Sequence, residues 1–382
     1  YGNTLDRWYK RGTLIVWPRD QAFANRAEVS PAWAMDELAA RARSGNLCEA
    51  LAAARTLEPF WETAARSGQT QLLPKTMRVA FALGDAGTAR MLLRPFQVES
   101  LLLGHASALA ELAARYGAGW AGALLGAWFG DRTSWVYLPG RRDWVLSLPA
   151  LSAALIAEGT AGTEAAHLLV GEAWRWLRGE ISARLASAGP SRREQYLTEL
   201  GQPLTAVLVA ASGAGETAMV EEITDFARQQ PHEVIPLLLA ALRDAAPLSP
   251  DIRQQAGFSD LAKGSAVRLR VLLGRPRRAD DDWSIQLPPG GCTCDLCSTL
   301  KAFLAASARR TYEWPLATGN RQHIHSRIDA AELPVTHVTR RTGRPYTLVL
   351  TKTQRLFDAE REARARDEGA RQWLVAEWRV SR

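Results

Sequence analysis

Apolar positions recur at helical spacing from Ser30 to about Arg275, so the sequence reads as helix after helix. Ser30-Pro31 is a cap followed by proline at the first helical position, and Gly45 stops the first run after Trp33 and Leu38. The same reasoning predicts helices over Leu47–Leu57, Pro59–Ser67, Gln71–Leu83, Thr88–Phe96, Val98–Tyr116 and Ala118–Phe129. Asp131–Leu148 breaks the pattern, and Trp135-Val136-Tyr137 with Trp144-Val145-Leu146 reads as a loop or small hairpin. Helices resume over Pro149–Glu158, Thr163–Ala186, Arg192–Leu200, Pro203–Ala211, Glu216–Gln229, His232–Ala245, Pro250–Ala256 and Gly264–Leu273. Paired amphipathic helices with short Gly, Pro and Ser turns point to an irregular α-solenoid of HEAT or TPR character over 30–275. No fixed repeat stands out, so an irregular bundle competes with it.

The two ends of the chain are patterned differently. Gly12 to Trp17 is a β-branched, apolar run stopped by Pro18, so residues 1–20 are expected to hold a strand. A single strand cannot stand alone, so this one is expected to be the end of a truncated β domain. Arg275-Pro276-Arg277-Arg278 followed by Asp280-Asp281-Asp282 reads as a charge-switched linker over 276–287. Residues 288–382 form a small α+β unit in this reading. A helix follows the cysteines, Tyr312-Glu313-Trp314-Pro315 is a break, and residues 321–330 form a second helix. Val335–Arg341 and Tyr346–Thr351 alternate around Thr342-Gly343-Arg344-Pro345 as a hairpin. Thr353–Arg366 is a charged helix, with Trp373, Leu374 and Trp378 on a final apolar face.

Cysteine usage changes the picture most. The chain has 4 cysteines, and Cys292-Thr293-Cys294-Asp295-Leu296-Cys297 holds all but Cys48. Thiols gathered so closely serve a metal or redox chemistry, and Zn²⁺ takes four ligands from Cys S⁻ and His N in a tetrahedron. Pro288-Pro289-Gly290-Gly291 allows a tight turn into the first ligand, and a helix starting near Cys294 favours thiolate. Cys292, Cys294 and Cys297 are therefore expected to hold a structural zinc ion. His323 is the favoured fourth ligand, and His325 and His337 are its rivals. On a helix His323 and His325 point to nearly opposite faces, so at most one of the two binds. A redox CxxC pair or plain packing are the other readings, although no βαβ pattern surrounds the cysteines. Isolated Cys48 reads as a buried helix thiol. Such usage is not a secreted disulfide framework and suits a reducing cytoplasm, and no apolar run is long enough to cross a bilayer.

Charge is uneven over the 382 residues. From Ala262 onward there are 22 Lys/Arg against 13 Asp/Glu, while the whole chain carries +7. The basic excess therefore belongs to the C-terminal quarter to third and admits an anionic partner such as nucleic acid. Arg340, Arg341 and Arg344 at the hairpin tip, with Lys352 after it, are the candidate anion-binding residues. A solvated turn and an Arg-rich composition explain them equally. Trp120, Trp128, Trp174 and Trp176 are expected in helix packing, and His105 and His167 as satisfied core or boundary histidines. His232-Glu233 reads as a helix start, and Glu221-Glu222 with Asp225 as a solvated face. No nucleotide-binding Gly-rich loop, Ser-His-Asp set or general base beside an open metal position stands out, which argues against a small-molecule zinc enzyme.

Gly2-Asn3-Thr4, Asp6-Arg7-Trp8-Tyr9 and Val16-Trp17-Pro18-Arg19 resemble a segment of a family of large bacterial 2-oxoglutarate/Fe(II) oxygenases. Those proteins are related in their first half to prolyl hydroxylases. The CxCxxC run, Arg321-Gln322-His323-Ile324-His325, Thr336-His337-Val338-Thr339 and Arg344 through Lys352 resemble the same family's C-terminal block. The resemblance implies an upstream double-stranded β-helix that holds Fe(II) and 2-oxoglutarate through a His-x-Asp/Glu…His triad. None of the 6 histidines is followed two positions later by Asp or Glu, so that triad is not in this sequence. The chain is thus expected to be a helical and zinc-bearing fragment, non-catalytic by itself, that positions a protein substrate or partner. The alternative is a nucleic-acid-binding or scaffold module with a basic zinc-bearing end.

Overall fold

The computed structural model describes residues 22–66, 68–130, 140–186, 189–287 and 292–380. The strand expected at Gly12–Trp17, the Trp135–Tyr137 segment and the Pro288–Gly291 turn lie outside the described residues. The described chain is mainly helical, with one small antiparallel sheet near the C-terminus. Backbone packing gathers it into two units. One runs through Trp176 and includes Gly213–Gly215, and the other comprises Leu177–Ser212 and everything from Glu216 on. The division falls within one long helix rather than at the charge switch near Arg278.

The first unit contains α1 (Ala22–Val29), α2 (Pro31–Arg43), α3 (Leu47–Arg55), α4 (Glu58–Ala64), α5 (Gln69–Leu83), α6 (Ala86–Leu93), α7 (Ala106–Tyr116), α8 (Ala118–Phe129), α9 (Arg141–Val145), α10 (Leu148–Ala157) and most of α11 (Thr160–Leu185). Helix α5 is its centre, packing on α2, α6 and α7. Tryptophan indoles tie the helix ends together. Trp61 and Trp128, each 1 % exposed, donate to the Leu92 and Leu93 carbonyls at 2.8 Å. Those carbonyls lie in the last turn of α6 and have no acceptor role within that helix. Trp120 and Trp144 do the same for Ala86 and Leu101, at 3.0 and 2.7 Å. These tryptophans are therefore buried anchors. The helix expected over Val98–Tyr116 is split into two single 3₁₀ turns, Val98–Ser100 and Leu103–His105, before α7 begins. Leu101 and Leu102 are extended there, and the Leu102 N–H donates to His105 Nδ1 at 3.1 Å. Burial draws the His105 imidazole below its ordinary value. Trp144 lies not in a hairpin but on α9.

The second unit holds α12 (Pro190–Glu199), α13 (Gly201–Gly213), α14 (Thr217–Gln229), α15 (Ile235–Ala245), α16 (Pro250–Gln255) and α17 (Phe258–Leu273). A Cβ at Gly201 would overlap Ala240, so glycine is what lets α13 start hard against α15. The chain continues through α18 (Asp295–Ala305), β1 (Thr311–Pro315), α19 (Thr318–Ala330), β2 (Val335–Arg340), β3 (Thr347–Lys352) and α20 (Arg355–Trp378). Helix α20 is continuous where a shorter charged helix was expected, and it packs along α17. The strand order is β1-β3-β2, both pairings antiparallel. Strand β1 replaces the expected break at Tyr312–Pro315. Pro315 is tolerated because β1 is an edge strand and Pro315 is its last residue.

Leu348 and Leu350 on β3 meet Leu300, Phe303 and Leu304 of α18, Ile324 and Ile328 of α19, and Leu356 and Phe357 of α20. Residues expected as a linker join this core: Ile285 is 6 % exposed and its N–H donates to the Leu304 carbonyl at 2.8 Å. Arg278 holds the segment down, reaching Glu360 at 2.6 Å and the Asp282 carbonyl at 2.9 Å.

Lys352 overturns its sequence reading. It occupies the third inward position of β3 and is 0 % exposed. Its ammonium donates to the Leu304 and Ala306 carbonyls at 2.9 and 2.7 Å and lies 4.8 Å from the Phe303 ring centre. It caps the C-terminal end of α18 and is not an anion contact. Burial pushes its pKa down to about 8. Between pH 8 and about 10.5 the unfolded lysine keeps a proton that the folded one has released, so stability rises with pH in that window. Relative to Lys352→Met, the wild-type protein should gain roughly 3 kcal/mol across it, measured by urea denaturation at a series of pH values.

Candidate metal centre

Cys292 precedes α18, Cys294 occupies its N-cap position, and Cys297 lies in its first turn. Successive residues entering a helix leave the three sulfurs on one side of its N-terminus, where the helix dipole favours negative charge. His323 comes from α19, which packs on α18 through Leu300, Phe303, Ile324 and Ile328. The His323 Nε2 atom is 3.5 Å from Cys294 Sγ and 3.2 Å from Cys297 Sγ. All four ligand atoms lie within 4.8 Å of one another. A tetrahedron with metal–sulfur bonds of ~2.3 Å and a metal–nitrogen bond of ~2.0 Å sets sulfur and nitrogen about 3.5 Å apart. The group therefore has the dimensions to hold a metal ion, and it is the one such group among the described residues. Cys292 and Cys294 are exposed and Cys297 is buried.

Electrostatics separate the thiols. The Cys297 backbone N–H, and after it the Cys292 thiol, draw Cys294 down to about 6. Burial, and then the neighbouring Cys294 and Cys292 sulfurs, push Cys297 up to about 11. The cluster cannot carry three thiolates at neutral pH without a cation among them. Loading must therefore expel the Cys297 proton, and ion binding must strengthen as pH rises. Calorimetric titration with Zn²⁺ at pH 7, in buffers of different ionisation enthalpy, should show release of at least about one proton per ion.

His325 and His337, the rivals for the fourth position, are used elsewhere. His325 is turned away from the sulfurs, as two residues along a helix requires. Its Nδ1 meets His337 Nδ1 on β2, and His337 Nε2 is 3.0 Å from Asp329 Oδ1. Burial, and next the His337 ring, lower His325 below its ordinary value. Helix α19 thus faces the sulfurs with one histidine and the sheet with the other.

The basic candidates separate as well. Arg340 is paired with Glu313 across the sheet at 2.9 Å, whereas Arg341 and Arg344 are exposed in the turn. Lys352 is internal. Two features escaped sequence reading: the strand character of β1, hidden by Glu313 and Pro315, and the inward lysine. The alternation Leu348, Leu350, Lys352 was the available signal for the latter. His167 Nε2 lies 3.0 Å from the Ala214 carbonyl, a boundary contact. Cys48 is exposed rather than buried.

No family model, curated protein or solved structure matches this chain. What the fold and site define is thus a mainly helical chain with a Cys₃His group near its C-terminus that could hold a metal ion. No helix is long and apolar enough to cross a membrane.

Proposed function

We propose that this chain is the helical and zinc-bearing part of a 2-oxoglutarate/Fe(II)-dependent oxygenase-like protein, and that it positions a protein substrate or partner. The zinc is structural. Three sulfurs and one imidazole fill a tetrahedron and leave no open position for substrate or water. The observation that carries this reading is the convergence of Cys292, Cys294, Cys297 and His323 at metal-binding dimensions. A soft, thiolate-rich tetrahedral set selects Zn²⁺ over the hard cations. The ion supplies stability that the module's small core lacks. The preceding helices, in the α-solenoid arrangement proposed for them, present a surface to a macromolecule. The oxygenase assignment is supported by the residue resemblance alone, and the lack of a His-x-Asp motif places any Fe(II) chemistry outside these 382 residues.

Elemental analysis of protein purified under reducing conditions should give one zinc per chain. Protein free of any transition metal would end the zinc reading. An Fe(II)-dependent turnover of 2-oxoglutarate by this chain alone would end the non-catalytic reading.

A further inference from the structure

We propose that the margin of the sheet along β1 is a stacking site for single-stranded nucleic acid. The inference goes beyond the structural role of the metal and does not depend on the metal's identity.

Strand β1 is an edge, so one side of it has no neighbouring strand. Its residues alternate: Thr311, Glu313 and Pro315 are exposed on one face, and Tyr312 and Trp314 are half-buried on the other. The rings of Tyr312 and Trp314 are 5.5 Å apart. Phe303 of α18 stacks beneath Tyr312 at 5.5 Å and 25°, and the Arg309 guanidinium lies 4.4 Å over the Tyr312 ring. The aromatic pair is thus supported from inside by the core and topped from outside by an exposed, flexible cation. A planar base can take the place of that guanidinium, which is then free to meet a phosphate. Next along the chain, Arg310 lies 4.5 Å over Trp283, a second half-buried ring with an exposed arginine on it.

Charge runs along the same line. Arg309 and Arg310 precede the first residue of β1. At its far end the Leu316 N–H donates to the Tyr346 carbonyl at 3.1 Å, which brings the turn carrying Arg341 and Arg344 beside Trp314 and Pro315. Among the described residues, none of these four arginines is paired with a carboxylate. The acidic residue of β1, Glu313, lies on the opposite face and is engaged by Arg340. Cations at both ends with aromatic rings between them match a ligand of alternating phosphates and flat bases. A purely anionic polymer would leave the rings unused, and an acidic peptide would have nothing to stack on them.

Fluorescence anisotropy with a labelled oligothymidylate tests this on the full chain. Binding is expected at low salt, falling with ionic strength by about 0.7 log units per log unit of salt for each phosphate contact. Trp314→Leu keeps an apolar side chain against the core and removes the π face. It should weaken binding about tenfold without changing the salt slope, and Trp314→Phe should restore most of the loss. The double substitution Arg341→Ala with Arg344→Ala should lower the slope by about one instead. Unlabelled inorganic polyphosphate should compete poorly at equal charge. The proposal is overturned if the oligonucleotide does not bind, if Trp314→Leu binds as the wild type does, or if polyphosphate competes as well as unlabelled oligothymidylate. Zinc content is measured on the same samples, so loss of the ion is distinguished from loss of the stacking face.

Discussion

Cys294→Ser is expected to release the metal and unfold the C-terminal module from about residue 288 onward. Serine keeps the size of the side chain but offers a hydroxyl that does not ionise at neutral pH. The remaining two sulfurs and one imidazole then hold the ion without a closed tetrahedron. Binding energy at structural zinc sites is of order 10–16 kcal/mol, and in a site formed only on folding it is folding energy. That exceeds the ~5–15 kcal/mol by which whole domains are stable, so the substitution removes the module and not merely some of its stability. Helices α12–α17 have a separate set of contacts in Leu204, Val207, Leu208, Leu238 and Leu242. They should keep their far-ultraviolet circular dichroism, while limited trypsin digestion gains sites after residue 288. Chelation of the wild-type protein should give the same pattern reversibly. Retention of metal and trypsin resistance by Cys294→Ser would show that the sulfur is not a ligand.

Trp128→Ala should destabilise the first unit by roughly 3–5 kcal/mol, the range for truncating a buried aromatic side chain. Trp128 is 1 % exposed, and the Leu93 carbonyl that it satisfies would be left in apolar surroundings. Trp128→Phe retains most of the packed surface and loses only the N–H, so its cost should be nearer ~1–2 kcal/mol. Equilibrium urea unfolding separates the two variants. Equal stability for Trp128→Phe and the wild type would mean that water replaces the indole at Leu93.

Helical character was legible because it rests on local periodicity. The Cys292–Cys297 cluster and His323 could be named because ligand chemistry is read from residue type and spacing. What could not be read came from packing across the chain. Glu313 and Pro315 masked β1, which exists because β3 offers it a partner. Lys352 looked like a solvated strand end, yet it finds two carbonyls at the end of α18. The charge switch near Arg278 looked like a boundary, but Glu360 arrives from α20 to neutralise it. The division at Trp176 leaves no mark in composition, because helices of the same kind lie on both sides of it.

Helix α18 is clasped by opposite charges at its two ends. Sulfur anions stand at its amino end and an internal ammonium at its carboxyl end, each matching the sign that the aligned peptide dipoles call for. The two clasps differ in durability. The ammonium is covalently part of the central strand, whereas the sulfurs are held together by an exchangeable ion. When the ion leaves, fraying begins at Asp295 and travels toward Ala305, so the cell's supply of metal sets how much of this rod is wound at any moment.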